Sequence, residues 1–210
     1  MRPRAARWVA GCGAVIGWAA LVLQLWLLVG LISVEGGGFM SALWCFVGFF
    51  TVLMNVCAAM VLSHAATRPM AHVGLGSPRV ELSVAVAIVM VGIVYSVALR
   101  SLWEPRGWQL AADRALHDAM PVLYAMFWLL RPHGDLRLVD AAWALAMPVT
   151  YCVYALARGA ADGWYAYHFL DPLTLSVGAL AGNIAGLCAA FLGLGLMLVQ
   201  LDRLIGRRWG

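Results

Sequence analysis

Long apolar runs separated by short clusters of Arg, Gly and Pro organise this chain from end to end. One hydrocarbon crossing takes about 20 apolar residues as α-helix. Runs of that kind are expected as crossings near residues 8–32, 39–62, 82–103, 108–130, 138–156 and 173–201. A transmembrane β-barrel would show alternating segments of about ten residues instead. The pattern therefore predicts an all-α polytopic bundle of six transmembrane helices. Only short loops remain between the runs, so residues 1–210 are expected to form a single six-helix membrane domain.

The polar punctuation refines these elements. Glu35, Gly36, Gly37 and Gly38 predict a tight turn after the first crossing, since glycine tolerates positive φ. The stretch from His64 to Pro78 reads as an irregular loop, and Trp103, Glu104 and Pro105 end the third helix. Arg131 to Asp135 forms a compact turn. Pro121 and Pro148 remove backbone donors within the fourth and fifth crossings, and for Pro121 the freed carbonyl is that of His117. Gly178, Gly182 and Gly186 recur every fourth residue, a small-residue stripe suited to close helix approach, expected inside the molecule, with dimerisation as the alternative. No internal repeat is visible, which disfavours a transporter built from duplicated halves.

Composition agrees with a membrane protein. Hydrophobic residues make up 64% of the chain, charged residues 11%, and mean hydropathy is +0.87. All 14 basic residues are arginine, which with abundant Ala and Gly suggests a GC-rich bacterial genome and hence the bacterial inner membrane. Ten of them (Arg2, Arg4, Arg7, Arg68, Arg79, Arg131, Arg137, Arg203, Arg207, Arg208) fall on one side of the expected topology; four (Arg100, Arg106, Arg114, Arg158) fall on the other. The positive-inside rule then places both termini in the cytoplasm. The net charge of +4 is thus topological, and no basic stripe interleaved with aromatics invites nucleic acid. The apolar run after Met1 to Trp8 exceeds a signal-peptide core, so an uncleaved first helix is expected. The five cysteines lie within crossings, lack metal spacing, and read as small buried hydrophobes.

Candidate chemistry lies in the few polar residues at bilayer depth, where burial is costly and function is common. Thr51, counted from Met40, and His117, counted from Trp108, fall roughly 16 and 14 Å from the same face at about 1.5 Å per residue. Asn55 shares the helix face of Thr51 and is a candidate to fix its rotamer or to donate to a developing oxyanion. Asp113, four residues before His117, can set the tautomer of the ring, and Arg114 and Asp118 form a second pair at that spacing. A threonine hydroxyl needs an adjacent base to act as nucleophile, a role open to His117. The plainer alternatives are a Thr51 bond to its own Val47 carbonyl and an interhelical His117 bond. Gln24, Asn183 and Tyr154 read as interhelical polar contacts; His64, His72 and His133 read as solvated residues of cytoplasmic turns. Trp164, Tyr165 and Tyr167 lie in an aromatic segment from Arg158 to Pro172, suited to the outer interface as an ordinary aromatic belt or as a substrate entrance.

Three stretches together resemble the androgen-induced membrane hydrolase family and its six-helix bacterial relatives: residues 49–55, FFTVLMN; residues 116–121, LHDAMP; and residues 163–171, GWYAYHFLD. Their order and separation are similar across nearly the whole chain. The resemblance implies a threonine hydrolase acting on fatty acid esters of hydroxy fatty acids, with Thr51 as nucleophile and His117 as its partner. His168 stands where the family usually has proline, and the proline after His117 follows at a slightly different interval.

A lipid ester hydrolase is therefore expected, fed from the bilayer past Trp164, Tyr165 and Tyr167, with no cofactor and no metal. The alternative is a non-enzymatic lipid-binding or small-molecule transport bundle using Asp113, Arg114 and His117 as a relay. A haem carrier is disfavoured because only His117 lies within a crossing. No oligomeric partner is read from these patterns.

Overall fold

A computed structural model describes residues 2–68, 73–102 and 104–209. It is 84% helix, with no strand among the described residues. The expected end of the third helix includes Trp103, which lies outside the described residues, as does His72. Among the described residues five helices are long and apolar enough to cross a membrane: Arg4–Val34, Phe50–Thr67, Pro78–Leu99, Leu138–Asp162 and Val177–Arg207. The stretch 108–130 is helical too, but Asp113, Arg114 and Asp118 make it the most charged of the expected crossings. The chain divides into two compact units, Met1–Pro132 and His133–Gly210, each described by itself.

In the first unit, α1 (Arg2–Val34) packs along α3 (Phe50–Thr67) and α6 (Met120–Leu130). Small residues make this possible: Ala6, Ala10, Gly13, Ala14, Gly17 and Ala20 are buried on one face of α1. A Cβ on Gly13 would come within 2.8 Å of Leu62 Cδ1, and one on Gly17 within 2.7 Å of Met120 Cε. Trp8, Val15, Val22 and Trp26 stay exposed along the same helix, as a lipid-facing surface requires. After Val34 the chain turns at Gly36, whose φ is +82, in the expected glycine turn.

The second expected crossing is not one helix. It is split into α2 (Phe39–Phe46) and α3, with Phe49 extended at φ −89 and ψ 130 between them. Gly48 lies at the break, where the weakest non-proline helix former interrupts an otherwise apolar run. A depth counted along a straight helix from Met40 therefore does not apply to Thr51. His64 lies in the last turn of α3 and is half-buried, so it is not the solvated turn residue expected.

Helix α4 (Pro78–Val94) begins with Ser77 as N-cap, its hydroxyl accepting from Val80 N at 3.3 Å, and with proline in the first turn. Residues 81–88 are buried on every side, so α4 is the centre of this unit. Within that run Glu81 pairs with Arg131, Nε to Oε2 3.1 Å, and the Arg131 guanidinium lies over the Trp128 ring at 5.1 Å. Arg131, expected only as a topological charge in a turn, is 5% exposed.

The winding of α4 widens into a π-turn at Tyr95–Leu99 and closes in a 3-10 turn at Arg100–Leu102. The fourth expected crossing does the same: α5 (Trp108–Arg114) passes through a π-turn at Ala115–Ala119 into α6. Pro121, which has no N–H, follows at once, so the disturbance expected at His117 takes the form of a wider turn. Gly92 of α4 sits against this turn, with a hypothetical Cβ only 3.2 Å from the His117 carbonyl oxygen and 3.1 Å from Pro121 Cγ. Gln109 of α5 donates to Gln24 of α1 at 3.0 Å, an interhelical contact of the kind expected for Gln24.

The second unit comprises a 3-10 segment (Leu138–Leu145), α7 (Ala146–Asp162), a 3-10 turn (His168–Leu170) and α8 (Val177–Trp209). Pro148 falls in the first turn of α7, where its missing donor costs nothing to the helix, and regular α winding begins just before it. Gly163, at φ +76, ends α7 by donating to the Gly159 carbonyl at 2.8 Å. Asp202 of α8 is fully buried and accepts from Gly134 N at 3.0 Å and Leu136 N at 3.1 Å. His133 Nδ1 lies 2.9 Å from the same carboxylate, with its side chain 2% exposed. This corrects the solvated reading of His133: the turn from His133 to Leu136 is clamped to α8 by a buried pair. The Gly178, Gly182 and Gly186 stripe meets no neighbouring atom within 4 Å, so it is not a packing contact inside this unit. The cysteines are free; Cys152 is buried while Cys12 is exposed, against the expectation for the latter.

Candidate functional site

Thr51 is the second residue of α3 and is half-buried, so the helix break at Gly48 places its hydroxyl on a helix N-terminal turn. The first N–H groups of a helix lack intrahelical partners, and the dipole there favours negative charge.

Asn55, one turn further on, is fully buried. Its Nδ2 donates to the Thr51 carbonyl at 2.8 Å and to the Leu116 carbonyl at 3.2 Å. An amide nitrogen carries two protons, so none remains for an oxyanion, and that expected role is withdrawn. Asn55 instead ties the first turn of α3 to the π-turn at the residue before His117. Its Oδ1 is buried with no partner among the described residues. Leu116 itself packs with Phe46, Val52 and Ala59, so the π-turn is wedged into the apolar contact between α1, α2 and α3.

His117 faces α4. Its ring stacks on Tyr95, centroids 3.8 Å apart and planes 16° from parallel. Its Nδ1 lies 3.1 Å from the Asp113 carbonyl oxygen and 3.2 Å from Asp113 Oδ1. Both neighbours are acceptors, so the ring proton belongs on Nδ1 and the lone pair on Nε2. The other carboxylate oxygen of Asp113 accepts from the Tyr95 hydroxyl at 2.7 Å. Asp113 is 3% exposed and Tyr95 4%, while the His117 side chain keeps 16%. The Asp113 carboxylate thus comes within ion-pair distance of the ring, but the hydrogen bond from Nδ1 goes to the Asp113 backbone carbonyl and Oδ1 has no hydrogen-bond partner among the described residues. Tyr95 is a third residue here that spacing along the chain did not suggest.

Beside this trio, Asp118 accepts from Arg100 and, at 2.9 Å, from Arg114. The Arg100 guanidinium also lies 5.1 Å from the Tyr95 ring centroid. The Arg114–Asp118 pair expected from its spacing is therefore joined by an arginine from the end of α4. Two arginines and two carboxylates thus gather beside the ring, and their formal charges balance.

The aromatic segment belongs to the second unit and is packed on its own helix. Arg158 donates to Asp162 at 3.2 Å and to the Tyr154 hydroxyl at 3.3 Å, and lies 4.9 Å from the Trp164 ring centroid. Tyr154 thus accepts from Arg158 of its own helix. The Tyr165 ring closes directly over Gly159, where any Cβ would overlap it. Tyr167 stacks on Phe169 and meets Tyr151 edge-on. Asn183 donates to the Phe169 carbonyl at 2.9 Å and fastens the segment to α8.

Among the described residues no cluster of His, Cys, Asp or Glu has the composition of a metal site. Comparison with known proteins finds no matching family model, no matching curated protein and no matching solved structure.

Proposed function

We propose that this chain is a membrane-embedded lipid ester hydrolase, akin to the androgen-induced membrane hydrolases that its motifs resemble, with Thr51 as nucleophile and His117 as base. The observation that carries the reading is the His117 ring turned with Nδ1 toward the Asp113 carbonyl and its lone pair on Nε2, the orientation a general base needs. Asn55 supports it by bracing the Thr51 turn against Leu116. In the reaction, Thr51 Oγ attacks the ester carbonyl as Nε2 takes its proton. The oxyanion forms at the N-terminal turn of α3. The imidazolium then protonates the departing alcohol, and water, deprotonated by the same nitrogen, releases the acid from the acyl-threonine.

The stretch 108–130 serves as the sixth crossing in this reading, with its charges gathered toward one end, and both termini lie in the cytoplasm of a bacterial inner membrane. The test compares wild type with Thr51→Ala and His117→Ala for fluorophosphonate labelling and lipid ester turnover. A loss of about 10³-fold or more is expected in each variant. Equal labelling and turnover in all three would end the proposal. The charged cluster of Arg100, Arg114 and Asp118 beside His117 also suits a proton-linked binding or transport bundle. The mark of that second reading is ligand binding or flux that survives Thr51→Ala unchanged.

A further inference from the structure

Tyr95 touches both members of the Asp113–His117 pair by different means. Its ring covers the face of the imidazole, and its hydroxyl donates to Asp113 Oδ2, which fixes the carboxylate whose Oδ1 lies 3.2 Å from His117 Nδ1. The two contacts constrain different motions. Stacking limits tilt and flipping of the imidazole, whereas the 2.7 Å hydrogen bond stops the carboxylate from rotating away from Nδ1. Both residues lie in or against π-turns: Tyr95 opens the one in α4, and His117 is the middle residue of the one between α5 and α6. Such turns re-aim side chains without ending a helix, and they recur at functional sites. A regular α-helix through residues 95–99 or 115–119 would wind these side chains differently.

We infer that Tyr95 is the positioning residue of this site, acting through Asp113 and through the ring face to hold His117 in its working orientation. The inference rests on the hydrolase reading for its kinetic consequence but not for its structural one. Three variants separate the contacts: Tyr95→Phe keeps the ring and loses the hydroxyl, Tyr95→Leu loses both, and Asp113→Asn removes the carboxylate charge. Full-length protein in lipid nanodiscs, labelled at histidine, supplies a readout that does not depend on turnover. A ring stacked at 3.8 Å shifts the His117 ring protons upfield, and the resonance is identified by its loss in His117→Gln. The shift is expected to persist in Tyr95→Phe and to collapse in Tyr95→Leu.

In the ester assay, Tyr95→Phe is expected to lower kcat about tenfold at constant KM, since one hydrogen bond to a charged group is lost. It should cost nothing further in an Asp113→Asn background, because the hydroxyl acts through that carboxylate. An upfield signal that is absent from wild type, or unchanged in Tyr95→Leu, overturns the assignment. So does ester turnover in Tyr95→Phe and Tyr95→Leu equal to wild type. The expected signal pattern in a protein that hydrolyses no ester would leave the positioning role standing and remove the hydrolase reading alone.

Discussion

Asp202 shows how much a single buried side chain can hold. Its carboxylate takes two backbone N–H groups and the His133 ring, all from residues more than sixty positions away. Replacing it with alanine leaves those donors inside the protein without an acceptor, at about 1–3 kcal/mol for each orphaned group. Asp202→Ala should therefore lower the thermal stability of the detergent-solubilised protein by several degrees, whereas Asp202→Asn, which keeps one acceptor oxygen, should lower it less. Nothing in the sequence around His133 announces this pair. A histidine in a turn that also contains Pro132 and Gly134 reads as solvated, and its partner is reached only by folding. Asn55 carries a similar lesson. Its spacing from Thr51 put it on the right helix face, but which atoms its amide protons meet depends on Leu116, sixty-one residues away.

At the scale of elements, the contact of α4 with the π-turn before α6 sets the distance between Tyr95 and His117. Gly92 permits it. An added methyl would press on the Pro121 ring and the His117 carbonyl, at 3.1 and 3.2 Å, and neither can swing aside. Gly92→Ala is expected to destabilise the protein by about 1–3 kcal/mol, the usual cost of overpacking. It should also weaken the upfield shift of the His117 ring, which thermal melting and the same NMR measurement would show together. The long apolar runs were legible because hydrocarbon-spanning helices need length above all, and glycine turns such as Gly36 were legible because few residues accept their φ. The break at Gly48 was hidden, since one glycine inside an apolar run is common in membrane helices. The π-turns were hidden as well: widening by one residue leaves no trace in an unbroken hydrophobic stretch. Pro121 alone pointed to the second of them.

Across the whole chain, charge is unevenly shared among the apolar helices. Among the described residues five membrane-length helices carry few ionisable groups, and the fourth expected crossing concentrates Asp113, Arg114, His117 and Asp118 within its first eleven residues. If that stretch spans the bilayer, the chain crosses an even number of times. A reporter that works only outside the cytoplasm should be active when inserted at Gly37 and silent when joined after Gly210; activity at both positions would refute the six-crossing arrangement. Composition made membrane residence plain, but not the division of residues into two compact units, because lipid-facing and protein-facing apolar surfaces use the same amino acids.

The two wide turns have one more consequence. Each inserts an extra residue, and one residue amounts to about 100° of rotation around a helix axis. Downstream of residue 119, that offset determines that Tyr124, Phe127 and Trp128 point inward and Val122, Met126 and Leu129 outward. The irregular geometry that aims His117 is thus also what indexes the rest of its helix. Ring orientation and insulation share one gear tooth, so natural drift toward a smoother helix would misalign the core-facing and lipid-facing stripes together with the imidazole.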